Sequence, residues 1–165
     1  MNSKERSLAV IQGGPVDRPP PVFPLLMFFA QQRLGVTYRE FATNGKVLAE
    51  AQFNIRRKFT VDAVTACSDA FRIAADLGAD MFNVDHLVDF ETACAVYGQR
   101  SLYFKGNINP VAGMLQATPE ECGRRCHELL RMAAGLRYML SPGCEVPGET
   151  PDDVFRAFCE APQTI

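Results

Sequence analysis

Apolar residues along this chain alternate between two rhythms, and each rhythm predicts an element. Val47, Leu48, Ala51, Ile55 and Phe59 recur at helical spacing and predict a long helix over Lys46–Phe59, entered at Asn44. Ser3–Gln12 reads as a short amphipathic helix stopped by Gly13-Gly14-Pro15. Thr37 caps a brief helix over Tyr38–Thr43. Between and after these lie short apolar runs that read as buried strands: Val22–Phe28, Val61–Cys67, Asp80–Asp85, Leu102–Phe104 and Tyr138–Leu140. Helices follow the later strands at Asp69–Leu77, stopped by Gly78, and at Asp89–Tyr97 and Pro110–Gln116. Thr118-Pro119-Glu120-Glu121 combines a threonine cap, a proline at the first helical position and two acids in the first turn. That helix should run to about Ala134. Thr150-Pro151-Asp152-Asp153 repeats the signal and starts a last helix to about Glu160.

A strand followed by a helix, repeated about five times with short connections, predicts an α/β fold with a parallel sheet flanked by helices. The 165 residues fit one domain. Apolar content of 47% against 22% charged residues supports a packed core rather than disorder. A net charge of −2, with Arg56-Arg57-Lys58 the longest basic run, argues against a nucleic-acid partner. The stretch Val22–Ala30 is too short to span a bilayer, and the start of the chain lacks a signal-peptide apolar run, so a cytoplasmic location is expected. The six cysteines form no Cys-x-x-Cys pair and sit in helix-like or strand-like segments, which predicts reduced thiols.

Candidate chemistry gathers where strands end. Ser68-Asp69 follows a strand, and Asp69 could act as a general acid or hold a substrate cation; the plain alternative is a helix cap. Asp85-His86 follows another and could form a proton-transfer pair, or could be an ordinary loop before Asp89. Lys105-Gly106-Asn107-Ile108-Asn109-Pro110 could present a cation and two amides to a polar ligand, or simply turn the chain. Cys144 follows the last strand in a Gly/Pro-shaped loop. In a parallel sheet all these loops fall at one end, where such folds place their ligands, so Asp69, Asn107 and Cys144 are expected to line one cleft. Cys122, Cys126 and Cys94 read as small core thiols, and His127 as a surface residue.

These segments, taken in order, resemble the uroporphyrinogen decarboxylase superfamily. The resemblance rests on Glu5-Arg6 with Gly14-Pro-Val-Asp17-Arg18-Pro-Pro, on Gly35-Val-Thr-Tyr38-Arg-Glu, and on Asp62-Ala-Val-Thr-Ala-Cys-Ser68-Asp69. It continues in Asn83-Val-Asp85-His86, Lys105-Gly-Asn107-Ile-Asn109-Pro110 and Ser141-Pro-Gly-Cys144. It implies a (β/α)8 barrel, here a partial one with about five parallel strands, because a full barrel takes ~250 residues. The resemblance implies that the family's first two strands are joined to its last three near 78–80, as by an internal deletion within a single domain spanning residues 1–165.

Two activities follow from the resemblance. Decarboxylases of this superfamily remove acetate carboxyls from uroporphyrinogen III without a cofactor. They carry an arginine-rich segment where this chain has Phe29-Ala-Gln-Gln-Arg33, and a histidine where it has Cys144. Asp69 matches the aspartate they use for the pyrrole nitrogens. Corrinoid-dependent methyltransferases have a cysteine at the Cys144 position, where it binds zinc beside a His-x-Cys pair. The resemblance therefore implies methyl transfer from a methyl-corrinoid to a thiol, with decarboxylation as the alternative and a non-catalytic remnant as a third reading. The expected site residues are Asp69, Asp85 and His86 for catalysis, Lys105, Asn107 and Asn109 for substrate, and Cys144 for metal. This chain has no His-x-Cys pair, so little or no zinc should be retained. Expected partners are a small-molecule substrate or a corrinoid protein, and a further copy of the chain, since a shortened barrel leaves strand edges open.

Overall fold

The computed structural model of the chain describes residues 1–18, 23–64, 81–99 and 102–165, with Met81 described by its backbone. The predicted helix Asp69–Leu77, most of the strand Val61–Cys67 and the junction near 78–80 lie outside these residues, as does Asp69. Four helices open the chain: α1 (Ser3–Gln12), α2 (Phe28–Leu34), α3 (Tyr38–Thr43) and α4 (Gly45–Lys58). Strand β1 (Met81–Asn83), helix α5 (Phe90–Gln99) and strand β2 (Tyr103–Ile108) follow. Helix α6 (Pro119–Met132), strand β3 (Tyr138–Pro142) and helix α7 (Asp152–Glu160) complete the order. The fold is α/β. Its three described strands run parallel in the order β1-β2-β3, as one arc of a (β/α)8-type barrel.

The caps behave as their chemistry dictates. Asn2, Thr37 and Thr118 each accept from the backbone amide three residues on, and the glutamate there reaches back to the cap amide. These reciprocal pairs fix the starts of α1, α3 and α6 without help from packing.

Two strand expectations need correction. Residues 23–26 form no ladder, and the chain turns helical at Phe28. Pro24 has no N–H to give to a ladder. The segment still lies along the outer edge of β3, donating from Phe23 N to Leu140 O at 3.2 Å, while Val146 N donates to Leu25 O at 3.1 Å. Residues 61–64 are likewise not a strand. Conversely, β2 runs past Phe104 to Ile108, through residues that look like a turn. The strand holds because it is paired on both sides, with Asn83 beside Lys105 and Gly106 beside Leu140. Only glycine fits at 106: its φ is +137°, and a Cβ there would meet Val84 O at 2.5 Å.

The sheet has two differently filled faces. One packs on helices through Phe104, Ile108, Tyr138 and Leu140, which join a large cluster with Phe90, Phe155 and Phe158. Phe155 reaches into the amino-terminal half, 4.3 Å from Phe29 and 4.8 Å from Phe59 between ring centres. The other face, inward in a barrel, carries a small cluster of Tyr103 and Met139 with Val10, flanked by Ile11, Val16 and Phe23. Helix α1 covers this cluster and is anchored by charge. Arg6 bonds Asp17 at 2.7 Å and the buried Asp62 at 2.6 Å, and Arg18 bonds the other Asp62 oxygen at 2.5 Å.

Candidate functional site at the strand ends

The carboxyl ends of β1, β2 and β3 meet because the strands are parallel and adjacent. Three tethers lock their loops together. Asn83 Nδ2 donates to Gly143 O at 2.9 Å, tying β1 to the loop after β3. Asn107 Nδ2 donates to Asp85 O at 3.2 Å and to Val88 O at 2.8 Å, tying β2 to the loop after β1. Gly143 N donates to Ile108 O at 2.9 Å. Gly143 also lies flat on the His86 backbone, where a Cβ would stand 2.4 Å from His86 N. Asp85, His86, Asn107 and Cys144 are thereby gathered at one end of the sheet, so two of the three residues expected to line one cleft, Asn107 and Cys144, share it. Asp69 lies outside the described residues.

The gathered residues differ in how far they are committed. Asp85 accepts from Leu87 N at 2.9 Å and lies 3.5 Å from His86 Nδ1, and both side chains keep contact with solvent. His86 Nδ1 is itself buried without a hydrogen-bond partner. Asn109 holds the turn that follows β2, its Oδ1 accepting from Val111 N at 3.0 Å and Ala112 N at 2.9 Å. Cys144 is a free, exposed thiol.

Lys105 lies one layer below, and its surroundings are unusual for a lysine. It is only 4% exposed, on the inner face of β2. Its Nζ stands 4.5 Å from the centre of the Phe23 ring. Among the described residues no carboxylate pairs with it. Burial alone pushes its pKa from 10.5 down to about 8. A desolvated ammonium with an aromatic face as its neighbour is stabilised only in part.

Two residues with structural weight carried no sequence signal for their roles. Arg33 is taken up by the protein itself. Its guanidinium bonds Asp152 at 2.7 Å, Gly148 O at 2.7 Å and Thr150 O at 2.5 Å, clamping α2 to the loop before α7. Glu145 accepts from Phe28 N at 2.6 Å, at the start of α2, and its pKa is raised by burial. An acceptor at a helix start is a familiar pairing, but these two residues are 117 positions apart. No motif-length window contains both.

Among the described residues no three His, Cys, Asp or Glu side chains come together as a metal cluster. No helix among them is long and apolar enough to cross a membrane.

The uroporphyrinogen decarboxylase (URO-D) family matches the chain in two segments, residues 2–81 and 70–165. The chain belongs to the uroporphyrinogen decarboxylase family. Two segments that cover nearly the whole chain are consistent with a shortened member. A protein named uroporphyrinogen decarboxylase from Prochlorococcus marinus (strain MIT 9313) is 33% identical over 88 residues, 53% of this chain and 24% of that protein. One of the same name from Synechococcus sp. (strain CC9902) is 30% identical over 91 residues, 55% of this chain and 25% of that protein. The matched stretches span about a quarter of the length of these curated relatives.

Proposed function

We propose that this chain acts as a decarboxylase-type member of its family, binding a porphyrinogen by its carboxylates at the strand ends. This reverses the order of the two activities implied by the resemblance, since the similar curated proteins carry the decarboxylase name. The observation that carries the reading is Lys105, a buried cation without a carboxylate partner among the described residues, directly beneath the gathered strand ends. An anionic substrate would supply the missing countercharge, and the interaction would be strong because the site is desolvated. Loss of carbon dioxide from a carboxymethyl group leaves a methyl group and takes up one proton. Asp85 and His86, 3.5 Å apart, are the pair assigned to deliver that proton in this reading. Asn107 orients the loop that carries them. No metal or organic cofactor is required by this chemistry.

Uroporphyrin, the oxidised and stable form, is the practical probe. Its Soret absorbance should shift on binding to the chain, and Lys105→Met should weaken binding at least tenfold. Anaerobic incubation with uroporphyrinogen should release porphyrinogens with fewer carboxyl groups. Undiminished uroporphyrin binding by Lys105→Met would sink the reading.

A second reading, methyl transfer to a thiol, is supported by one observation: Cys144 is an exposed thiol in the loop that packs on His86. The zinc that such chemistry uses does not fit the donor set of the described residues, so no step is derived through it. Stoichiometric zinc by elemental analysis, lost in Cys144→Ser, would favour this reading over decarboxylation. Self-association belongs to the proposal as well, on the argument that a shortened barrel offers open strand edges. Light scattering at micromolar concentration should show a dimer or larger species.

A further inference from the structure

A second concavity lies at the other end of the sheet and takes no part in the site above. It has a volume of about 670 Å³ and sits between the end of α1 and the loop that leads from α6 into β3. A volume of ~300–1,000 Å³ is usual for small-molecule sites. Because β3 separates its mouth from Cys144, the two sites stand about 17 Å apart at ~3.3 Å per strand residue.

The lining combines apolar walls with one sign of charge. Val10, Leu136 and Ile165 supply apolar surface, and Arg18, Arg131 and Arg137 bring three guanidinium groups. No aspartate or glutamate side chain is among the described lining residues. Arg18 is only half committed: its Nη2 bonds Asp62 at 2.5 Å, while Nη1 is buried with no hydrogen-bond partner. Arg131 is exposed at the end of α6. The Arg137 side chain lies across the Gly13 turn, 3.6 Å from where a Cβ would be. A guanidinium is a fixed fork of donors that suits planar or tetrahedral oxyanions.

We propose that this groove binds a small anionic amphiphile, one carboxylate or phosphate head on an apolar body, independently of the strand-end site. The head lies against Arg18 and Arg131, and the body lies along Val10 and Leu136. Charge complementarity selects this class: the exposed Arg131 and the unpaired Nη1 of Arg18, with no acidic side chain among the described lining residues, disfavour a cationic ligand, and the apolar walls disfavour a small hydrophilic ion.

The test uses the full chain and three eight-carbon probes below their micelle concentrations: octanoate, octyl phosphate and octyltrimethylammonium, with octanol as the neutral control. Calorimetry should show saturable binding of octanoate or octyl phosphate, and the tighter of the two identifies the head group. Octanol and octyltrimethylammonium should bind at least tenfold more weakly. Arg131→Glu should weaken the anion at least tenfold while leaving the thermal unfolding midpoint unchanged, since Arg131 is exposed. Lys105→Met should leave it unaltered. Equal binding of octanol, no saturable binding of either anion, or an unchanged affinity in Arg131→Glu would each overturn the proposal. Loss of anion binding in Lys105→Met would also overturn it, by placing the probe at the strand ends instead.

Discussion

Phe104 and Lys105 are neighbours in β2 and point to opposite faces of one sheet, yet they live in different physical worlds. Phe104 is fully buried among Phe90, Tyr97 and Tyr138, with ring centres 6.1, 5.0 and 5.2 Å away. The neighbours on that face are aromatic rings, and the Tyr138 hydroxyl is satisfied by Gly106 O. Lys105 is nearly as buried, but its charge faces an aromatic ring, and the apolar cluster beside it is small. One face has been optimised for stability. The other holds a group whose burial is unfavourable, which is the pattern expected where function overrides packing.

The sharpest way to break this comparison is to remove Phe104. Phe104→Ala should cost about 3–5 kcal/mol, the range for truncating a large core aromatic. Chemical denaturation would measure it. A loss below about 1 kcal/mol would show that the helix-facing side is not the main source of stability.

A second test asks whether buried charge on this protein is costly in itself or only when unbalanced. Arg6 and Arg18 are balanced by two carboxylates, with Asp62 contacting both arginines and Asp17 contacting Arg6. Asp62→Asn removes the shared anion, leaving Arg18 facing a neutral amide and Arg6 with Asp17 alone. It should destabilise by about 3 kcal/mol. Raising salt should recover little of this, because the Asp62 side chain is only 1% exposed.

Lys105 should behave in the opposite sense. Its folded pKa, about 8, lies below the 10.5 of the unfolded chain. Between those values the unfolded state binds more protons than the folded state, so stability rises with pH across the window. Below pH 8 both states are protonated and the full penalty of the buried charge applies. Lys105→Met removes the charge and keeps an apolar stem, so it should stabilise the protein at pH 7 by about 1–3 kcal/mol. It should also flatten the rise in unfolding free energy between pH 8 and 10.5 relative to the parent chain. A destabilised Lys105→Met, with the slope intact, would show that the ammonium has a partner in the fold after all.

Much of this architecture was legible in the chain because it depends on local chemistry. The boxes at Thr37 and Thr118 need only four residues each, and the helices they start appear where expected. The sharing of one sheet end by Asn107 and Cys144 was legible too, since parallel strands project their ends to one side. The illegible parts share a physical cause, which is dependence on partners distant in sequence. Lys105-Gly106-Asn107 reads as a turn, and becomes strand because β1 and β3 pair with it from both sides. Val22–Phe28 reads as strand by its apolar content, but Pro24 removes a donor and α2 begins at Phe28. The Arg33 clamp joins residues 119 positions apart. The burial of Lys105 under Phe23 depends on that same long-range closure and could not be inferred from its neighbours in the chain.

The smallest expected effect belongs to Cys144, and it separates stability from chemistry at the strand ends. Cys122, Cys126 and Cys159 are fully buried between α6 and the sheet and α7, and burial raises the pKa of Cys126 and Cys159. They are packing residues, and a thiol reagent should reach them only on unfolding. Cys144 is exposed, so Cys144→Ser exchanges one small polar group for another without opening a cavity. The unfolding free energy should change by less than about 0.5 kcal/mol. One rapidly reacting thiol equivalent should disappear from a titration of the native protein. Under the decarboxylase reading uroporphyrin binding should be unchanged, because the carboxylate-binding charge resides on Lys105. If Cys144→Ser instead abolished binding with the fold intact, the thiol would be part of the ligand site. The methyl-transfer reading would then gain the chemical role for Cys144 that decarboxylation does not require.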